Sequence, residues 1–180
     1  MAANALTISA NEILNMGMKG LLSTISGFFL KPGFDAARKA AEQGNPLSQF
    51  NLGMMYYKGR AVRQDYIEAV KWWRLSAEKG FAEALNNLGM MYGNGDGVPQ
   101  DYVEAHKWFD LAASHHPPGR KHRNSVRDRD FLVNKMTSSQ IAEAQWLARE
   151  WIAVFEKREK GNRTSPILFP VPSMIPAYAG

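Results

Sequence analysis

The chain has 180 residues, roughly the length of one domain, and 45% of them are hydrophobic, as in ordinary globular proteins. It contains no cysteine, which excludes disulfides, cysteine-ligated metal centres and thiol nucleophiles. The net charge of +5 would suit an acidic protein, a nucleic acid or an anionic membrane surface, so composition alone leaves the class of partner open.

The first 32 residues are largely apolar, but they lack the basic beginning and the small-residue cleavage site of a secretory signal. Within residues 13–30 apolar side chains recur at spacings of four and three, which describes one stripe of a helix rather than an all-apolar membrane span. We therefore predict an amphipathic helix that caps the core. A membrane-surface contact through residues 13–30 and a cleavable N-terminus stay open. The stripe consists of Leu14, Met18, Leu21, Ile25 and Phe28.

Two neighbouring segments, residues 45–80 and 81–116, are copies of one 36-residue unit. Aligned without a gap they are identical at 17 positions, far more than chance would produce. A fixed period of this length is typical of solenoids, in which each repeat packs on its neighbours. The sequence therefore predicts full repeats at 45–80 and 81–116.

Each copy is predicted to contain two helices. The first covers about residues 47–58 in one copy and 82–92 in the other, and it ends where glycines allow a positive φ. The second begins at an aspartate whose carboxylate accepts a backbone N–H, while a glutamate three residues later reaches back to the aspartate N–H. The two predicted capping boxes are Asp65 with Glu68 and Asp101 with Glu104.

Gly53 and Gly89 lie inside the predicted first helices, where glycine costs ~1 kcal/mol relative to alanine. A close approach of the second helix, which carries small alanines, would offset this cost. We expect Trp72 and Trp108 to fill the space beside these small residues.

The segment "AEKGFAEALNNLGMMYGNGDGVPQDYVEAHKWFDLAAS" resembles Sel1-like repeats, whose pattern is "A..G...A...LG.MY..G.GV..D..EA..W...AA..G". The resemblance implies an all-α fold, a right-handed α/α solenoid related to tetratricopeptide repeats, that acts mainly as an adaptor in protein complexes. The earlier copy departs from the pattern at "KGRAVRQ", where Arg60 and Ala61 replace the glycine-rich loop. The shape of that loop is therefore left open.

Partial copies extend the array in both directions. Residues 33–44 align at the same 36-residue offset with a second helix, so they are predicted to belong to a degenerate earlier unit whose first helix is 13–30. After residue 116 the chain resembles the terminal unit of many bacterial Sel1-like proteins, with helices near 122–135 and 138–158 and Ser138 as N-cap. The predicted organisation is an amphipathic cap at 1–32, Sel1-like repeats over 33–116, a degenerate capping repeat at 117–160, and a Pro-rich tail at 161–180 that is flexible or docked in a groove.

Catalytic and metal-binding motifs are missing from the sequence. It lacks G-x-S-x-G, a phosphate-binding glycine loop and H-E-x-x-H. His115 and His116 are adjacent, so they would point in different directions on a helix and make a poor pair for one metal ion. His106 stands where the other copy has Val70, so the repeat does not require it. We therefore predict a non-enzymatic protein without a cofactor or a metal.

One strongly basic segment, "RKHRNSVRDR", follows the second copy. No aromatic residue is interleaved with its charges, which disfavours nucleic acid as the partner. We interpret it as the solvated face of a capping helix, and an acidic protein patch or a membrane surface stays open. Its cations are Arg120, Lys121, Arg123, Arg127 and Arg129.

The resemblance implies a binding surface on the concave wall, formed by successive first helices. Asparagine side chains there can hydrogen-bond an extended peptide, and methionines adapt to varied shapes. Alternatively, Met54 and Met90 belong to the packing between helices. The predicted surface consists of Leu47, Asn51, Met54, Lys58, Glu83, Asn87, Met90 and Asn94.

The predicted function is that of an adaptor that binds a protein or an extended peptide through this surface. The alternative is a periplasmic regulator that binds and restrains a signalling partner. The compartment is left open, with the cytoplasm slightly favoured, and so are the oligomeric state, the partner and the pathway.

Overall fold

The computed structural model describes residues 33–162, which fold into seven helices without a strand. The predicted helix at 13–30, the cap at 1–32 and the tail beyond residue 162 lie outside the described residues. The helices are α1 (33–42), α2 (Pro46–Lys58), α3 (Tyr66–Ala77), α4 (Ala82–Asn94), α5 (Tyr102–His115), α6 (Arg120–Val133) and α7 (Ser138–Asn162).

Two helical hairpins form the centre of the fold, because α2 packs on α3 and α4 packs on α5. Each helix of the second hairpin begins 36 residues after its counterpart in the first. A continuous apolar core joins the hairpins, and it includes Trp73, Ala77, Leu85, Leu88 and Leu111. The arrangement is an α/α solenoid, as the sequence predicts.

The glycines inside α2 and α4 mark close contacts between helices. A Cβ atom added to Gly53 would lie 2.5 Å from Cδ1 of Trp73, and one added to Gly89 would lie 2.7 Å from Cδ1 of Phe109. Close contact was expected, but the aromatic neighbours were not the ones predicted. A contact at this distance requires an aromatic ring that points at the glycine, and the rings that do so follow Trp72 and Trp108 by one residue.

Trp72 and Trp108 have other roles. Trp72 packs against a cluster formed by α1 and α2, which includes Phe34 and Leu52. Trp108 is buried, and its indole N–H donates to Oε2 of Glu104 at 2.9 Å. Both tryptophans therefore contribute to the core, and neither provides the ring atoms nearest to a glycine.

The predicted aspartate caps form in both hairpins. Oδ1 of Asp65 accepts the backbone N–H of Glu68 at 3.0 Å. Oδ1 of Asp101 accepts the N–H groups of Val103 and Glu104 at 2.9 and 3.0 Å. These caps satisfy backbone donors that the first helical turn leaves free.

The reciprocal half of each capping box is absent, so that part of the prediction was wrong. The backbone N–H of Asp65 donates instead to the carbonyl of Tyr56 at 3.0 Å. Because this donor is already satisfied by the preceding helix, Glu68 turns to Lys71, with Oε1 2.6 Å from Nζ. The equivalent pairs in the second hairpin are Asp101 with Tyr92 and Glu104 with Lys107.

The loop between α2 and α3 has the same shape as the glycine-rich loop between α4 and α5. Ala61 and Gly97 are left-handed, with φ of 66° and 69°. The side chains of Gln64 and Gln100 each donate to a carbonyl at the end of the preceding helix, at 2.8 Å in both loops. The change of sequence in "KGRAVRQ" is therefore accommodated without a change of backbone.

The N-cap of α7 is Thr137 rather than the predicted Ser138. Oγ1 of Thr137 accepts the backbone N–H of Gln140 at 3.3 Å, and Oε1 of Gln140 accepts that of Thr137 at 2.9 Å. The Thr137 carbonyl also accepts the first intrahelical bond, from Ile141. Thr137 follows Asp101 by 36 residues, so the period of the caps continues beyond the two full repeats.

Helices α6 and α7 both pack mainly on α5, and they do so at different places. On the α6 side, Arg129 forms an ion pair with Asp110 at 2.7 Å. On the α7 side, Ala148 joins the core beside Leu111, and Phe155 reaches Gly80 at the turn between α3 and α4. The last two helices therefore do not repeat the hairpin of α2 and α3, and the predicted boundaries of a capping repeat at 117–160 stay a prediction.

Candidate protein-binding surface

Helices α2, α4 and α6 lie side by side, and their exposed side is called the inner face from here on. Phe50 of α2 meets Phe81 at the start of α4, with ring centroids 5.1 Å apart. Ser125 of α6 donates through Oγ to Oδ1 of Asn86 in α4 at 2.8 Å. These contacts join α2 to α4 and α4 to α6.

The predicted binding residues on the inner face differ in exposure. Leu47 keeps 52% of its surface exposed and Met90 keeps 39%, so both offer apolar surface to a partner. The other predicted residues that are exposed are Asn51, Lys58 and Asn94, whereas Met54, Glu83 and Asn87 are half-buried.

Met54 and Asn87 engage each other across the boundary between repeats. Nδ2 of Asn87 approaches Sδ of Met54 at 3.5 Å, and Met54 packs against the core. Met54 therefore takes part in packing between helices, as the alternative interpretation had it. Met90 remains at the surface, with Nδ2 of Asn86 3.9 Å from its sulfur.

The junction between α4 and α6 contains contacts that the sequence analysis missed. Lys121 pairs with Glu83, and Ser125 is fully buried against Asn86. Partial burial opposes ionisation of Glu83, but the hydrogen bond from Lys121 holds the carboxyl pKa below its usual value. The sequence contains one indication that Ser125 is buried against a neighbouring helix. It follows Gly89 by 36 residues and so occupies the position of the close-contact glycines.

The inner helices are more basic than the outer ones. Together α2, α4 and α6 contain six Lys or Arg and three Asp or Glu, whereas α3, α5 and α7 contain seven of each. All three inner carboxylates are engaged, and their partners are Lys121, Arg127 and Arg129. Within residues 33–162, Lys58, Arg120 and Arg123 form no ion pair.

A second polar cluster lies inside the array and joins the two repeats. Arg74 of α3 donates a hydrogen bond to the hydroxyl of Tyr92 in α4. Close by in α5, burial lowers the pKa of the Lys107 ammonium, while Glu104, 2.6 Å away, favours its charged form. The two charges of this pair compensate each other, and the hydrogen bond from Arg74 to Tyr92 connects the two repeats.

Residues 33–162 contain neither a metal-binding cluster nor a membrane-spanning helix. Among residues 33–162, no three His, Asp or Glu side chains are grouped so that they could hold a metal ion. None of the helices within this range is both long enough and apolar enough to cross a membrane.

Comparison with known proteins agrees with this geometry. A family model described as the Sel1 repeat matches residues 46–81 and 82–116, one residue from the predicted boundaries of the first repeat. A search of curated proteins finds no match.

Two solved structures resemble the chain. One is c5321, a protective antigen present in uropathogenic Escherichia coli strains that displays an SLR fold, with a TM-score of 0.64 and 25% identity over 89% of this chain. The other is a Sel1 repeat protein from Oxalobacter formigenes, 38% identical over 47% of this chain, with a TM-score of 0.46. The chain spans only 36% of c5321 and 64% of the Oxalobacter protein.

The fold therefore defines the chain as an α/α solenoid of helical repeats. Residues 46–81 and 82–116 are Sel1 repeats, as the family match shows. Sel1 repeat proteins typically mediate protein–protein interactions and serve as non-catalytic scaffolds.

Proposed function

We propose that this chain is a non-enzymatic adaptor that binds an extended segment of a protein partner along the inner face. The observation that carries the proposal is that Leu47, Met90 and the carboxamide of Asn51 are all exposed on helices of the inner face. Apolar anchors next to amide donors and acceptors suit a peptide, whose side chains are buried while its backbone is hydrogen-bonded. The proposed surface comprises Leu47, Asn51, Met54, Lys58, Glu83, Asn87, Met90 and Asn94.

The contacts beneath the surface support this proposal because they hold the anchors at fixed distances. Met54 with Asn87, and Asn86 with Ser125, tie neighbouring inner helices together. A surface that is ordered before binding loses little conformational entropy when a partner arrives. Half-buried Met54 and Asn87 therefore support the exposed residues from below.

Affinity capture from the native cell tests the proposal. We would compare the unaltered chain with Asn51→Ala/Met90→Ala on the inner face and with Ile67→Ala/Lys71→Ala on α3 as the matched control, since Ile67 and Lys71 are also exposed. A partner that is captured by the unaltered chain and the control, and is lost with the inner-face variant, supports the proposal. Equal capture by all three would place the binding site elsewhere.

The captured partner would then be purified and titrated against the same three proteins. We expect the inner-face variant to bind at least about tenfold more weakly, which corresponds to the loss of about 1.4 kcal/mol. Turnover of a substrate by the purified chain, abolished by the same variant, would contradict a non-enzymatic role.

A further inference from the structure

We infer that the partner segment is acidic, and that a stripe formed by Arg120, Arg123 and Arg127 on α6 binds its carboxylates. The inference rests on the proposed function and adds the chemistry of the partner. The stripe lies on the solvent side of α6, the helix that contacts α4 through Lys121 and Ser125.

The three arginines share one side of α6. Their spacing of three and four residues keeps them within about 60° of one another around the helix axis. Ser125 and Leu132, which are buried, and His122, which hydrogen-bonds the carbonyl of Ala113, define the opposite side. All three guanidinium groups therefore point away from α5 and into solvent.

Charge complementarity favours an acidic partner. The carboxylates of the inner helices are already paired with cations. Arg120 and Arg123, by contrast, have no carboxylate partner among the described residues. Arg127 contacts Asp128 but keeps 72% of its side chain exposed. The outer helices have equal numbers of both charges, whereas the inner helices have an excess of positive charge.

The start of α6 shows that this charge has a cost for the helix. Its N-cap, Gly119, provides no side-chain hydrogen bond, and its first turn contains no acidic residue. Cations near a helix N-terminus oppose the helix dipole and destabilise the helix. The starts of α3 and α5 are built in the opposite way, with Asp65 and Asp101 as caps. Carboxylates of a partner would relieve this unfavourable field.

Neighbouring side chains favour a polypeptide over a nucleic acid. Nucleic-acid grooves combine basic residues with free aromatic faces on which bases stack. Phe131 is the exposed aromatic residue nearest the stripe in sequence, and Nζ of Lys135 lies 4.8 Å from the centre of its ring. Met90 and Leu47, by contrast, are exposed apolar side chains against which the side chains of a peptide can pack.

The distance between those two anchors sets the spacing of apolar residues in a test peptide. Leu47 is near the start of α2. Its counterpart 36 residues later in α4 is Glu83, and Met90 lies seven residues beyond that position. With helices about 9 Å apart and a rise of about 1.5 Å per residue, the two side chains are about 14 Å apart. An extended peptide covers that distance in about four residues.

Fluorescence anisotropy with labelled 16-residue peptides tests the inference. The probe has leucine at every fourth position and glutamate or serine between. Its controls replace glutamate by lysine, or leucine by serine. A single-stranded oligonucleotide of about 20 nucleotides is the fourth ligand, and all titrations use ~0.1 M salt.

The test variant is Arg120→Glu/Arg123→Glu/Arg127→Glu. Its matched control is Arg149→Glu/Lys157→Glu/Arg158→Glu on α7, which changes the net charge equally at exposed residues that form no ion pair within residues 33–162. We expect the test variant to bind the acidic leucine probe at least about tenfold more weakly and the control to change binding less than about twofold. Melting temperatures of both variants establish that they are folded.

Four outcomes would overturn the inference: equal loss in the α7 control, equal binding of the lysine peptide, tighter binding of the oligonucleotide than of the acidic probe, or no binding of that probe at ~1 mM. If the α6 variant keeps the captured native partner while Asn51→Ala/Met90→Ala loses it, the inference fails and the proposed function stands. If neither variant loses that partner, the proposed function fails.

Discussion

Ala61 and Gly97 occupy the same position in successive loops and share a left-handed backbone, with φ of 66° and 69°. Alanine disfavours this conformation because its Cβ approaches the following carbonyl oxygen, at a cost of roughly 1–2 kcal/mol. The first loop therefore keeps its shape under strain, held by the hydrogen bond from Gln64 to the Tyr57 carbonyl.

We predict that Ala61→Gly stabilises the protein. Relief of the left-handed strain is offset in part by the greater freedom of glycine in the unfolded chain, which leaves a gain of roughly 0.5–1 kcal/mol. Thermal denaturation of the variant and the unaltered chain measures this gain in stability. Gly97→Ala is the reverse change, and we expect it to destabilise by more, since its Cβ would lie 2.6 Å from the carbonyl carbon of Tyr66. A lower melting temperature for Ala61→Gly would contradict the strain.

The close contact between α2 and α3 gives a second prediction. Gly53→Ala places a methyl group within 2.5 Å of the buried Trp73 ring, so we expect a loss of about 1–3 kcal/mol despite the better helix propensity of alanine. Gly93→Ala is the matched control, because its Cβ would lie 3.7 Å from that of Ala105, an ordinary contact. Denaturant titration of both variants should show opposite signs, and equal stabilisation would refute the contact.

The cap of α7 can be tested by removing two adjacent hydroxyls. Thr137→Ala deletes the acceptor of the Gln140 N–H, and we expect it to cost about 1 kcal/mol. Ser138→Ala is the control and should change the free energy of unfolding by less than about 0.5 kcal/mol, since Ser138 is exposed within the first helical turn. Equal costs in urea denaturation would mean that the cap is not at Thr137.

His106 makes the stability of the array depend on pH. Its Nδ1 is buried without a hydrogen-bond partner. Burial lowers the histidine pKa below 6.5, and although Asp110 and Asp130 favour the charged form, Arg129 opposes it. Because the unfolded chain takes up the proton more readily, the folded state loses stability as pH falls below about 6.5 towards the folded pKa.

We therefore predict that His106→Val, which copies the Val70 of the other repeat, raises the melting temperature and does so more at pH 5.5 than at pH 7.5. The gain at neutral pH comes from removing the unsatisfied nitrogen, worth about 1–3 kcal/mol. Val70→His should lower stability in the first repeat, since Val70 is buried in the equivalent place. A gain from His106→Val that is the same at both pH values would show that His106 does not titrate in this range.

Repetition in the sequence was enough to predict the solenoid, the helix pairs and the aspartate caps, because each of these depends on local chemistry that recurs every 36 residues. Contacts between helices were harder to predict. Trp72 and Trp108 drew attention because they are identical, yet the rings against the glycines are Trp73 and Phe109, which differ between the copies. Which ring meets a glycine depends on the rotation of each helix, and identity between copies does not encode it.

Tertiary hydrogen bonds explain the remaining differences. Glu68 could not complete a capping box because the Tyr56 carbonyl had already taken the Asp65 N–H. Asn86 and Ser125 were missed because their contact depends on the place where α6 meets α4, and the two copies contain no equivalent pair. The predicted binding residues and the predicted domain boundaries both stay predictions.

The packing of α7 along α5 changes how the array should unfold. In a simple solenoid each repeat touches only its neighbours, so unfolding can begin at an end and proceed one unit at a time. Phe155, however, lies against Gly80 at the end of the first full repeat and against His115 at the end of the second. The last helix therefore binds both repeats at once, so neither can unfold without releasing it, and the two should be lost in a single cooperative transition.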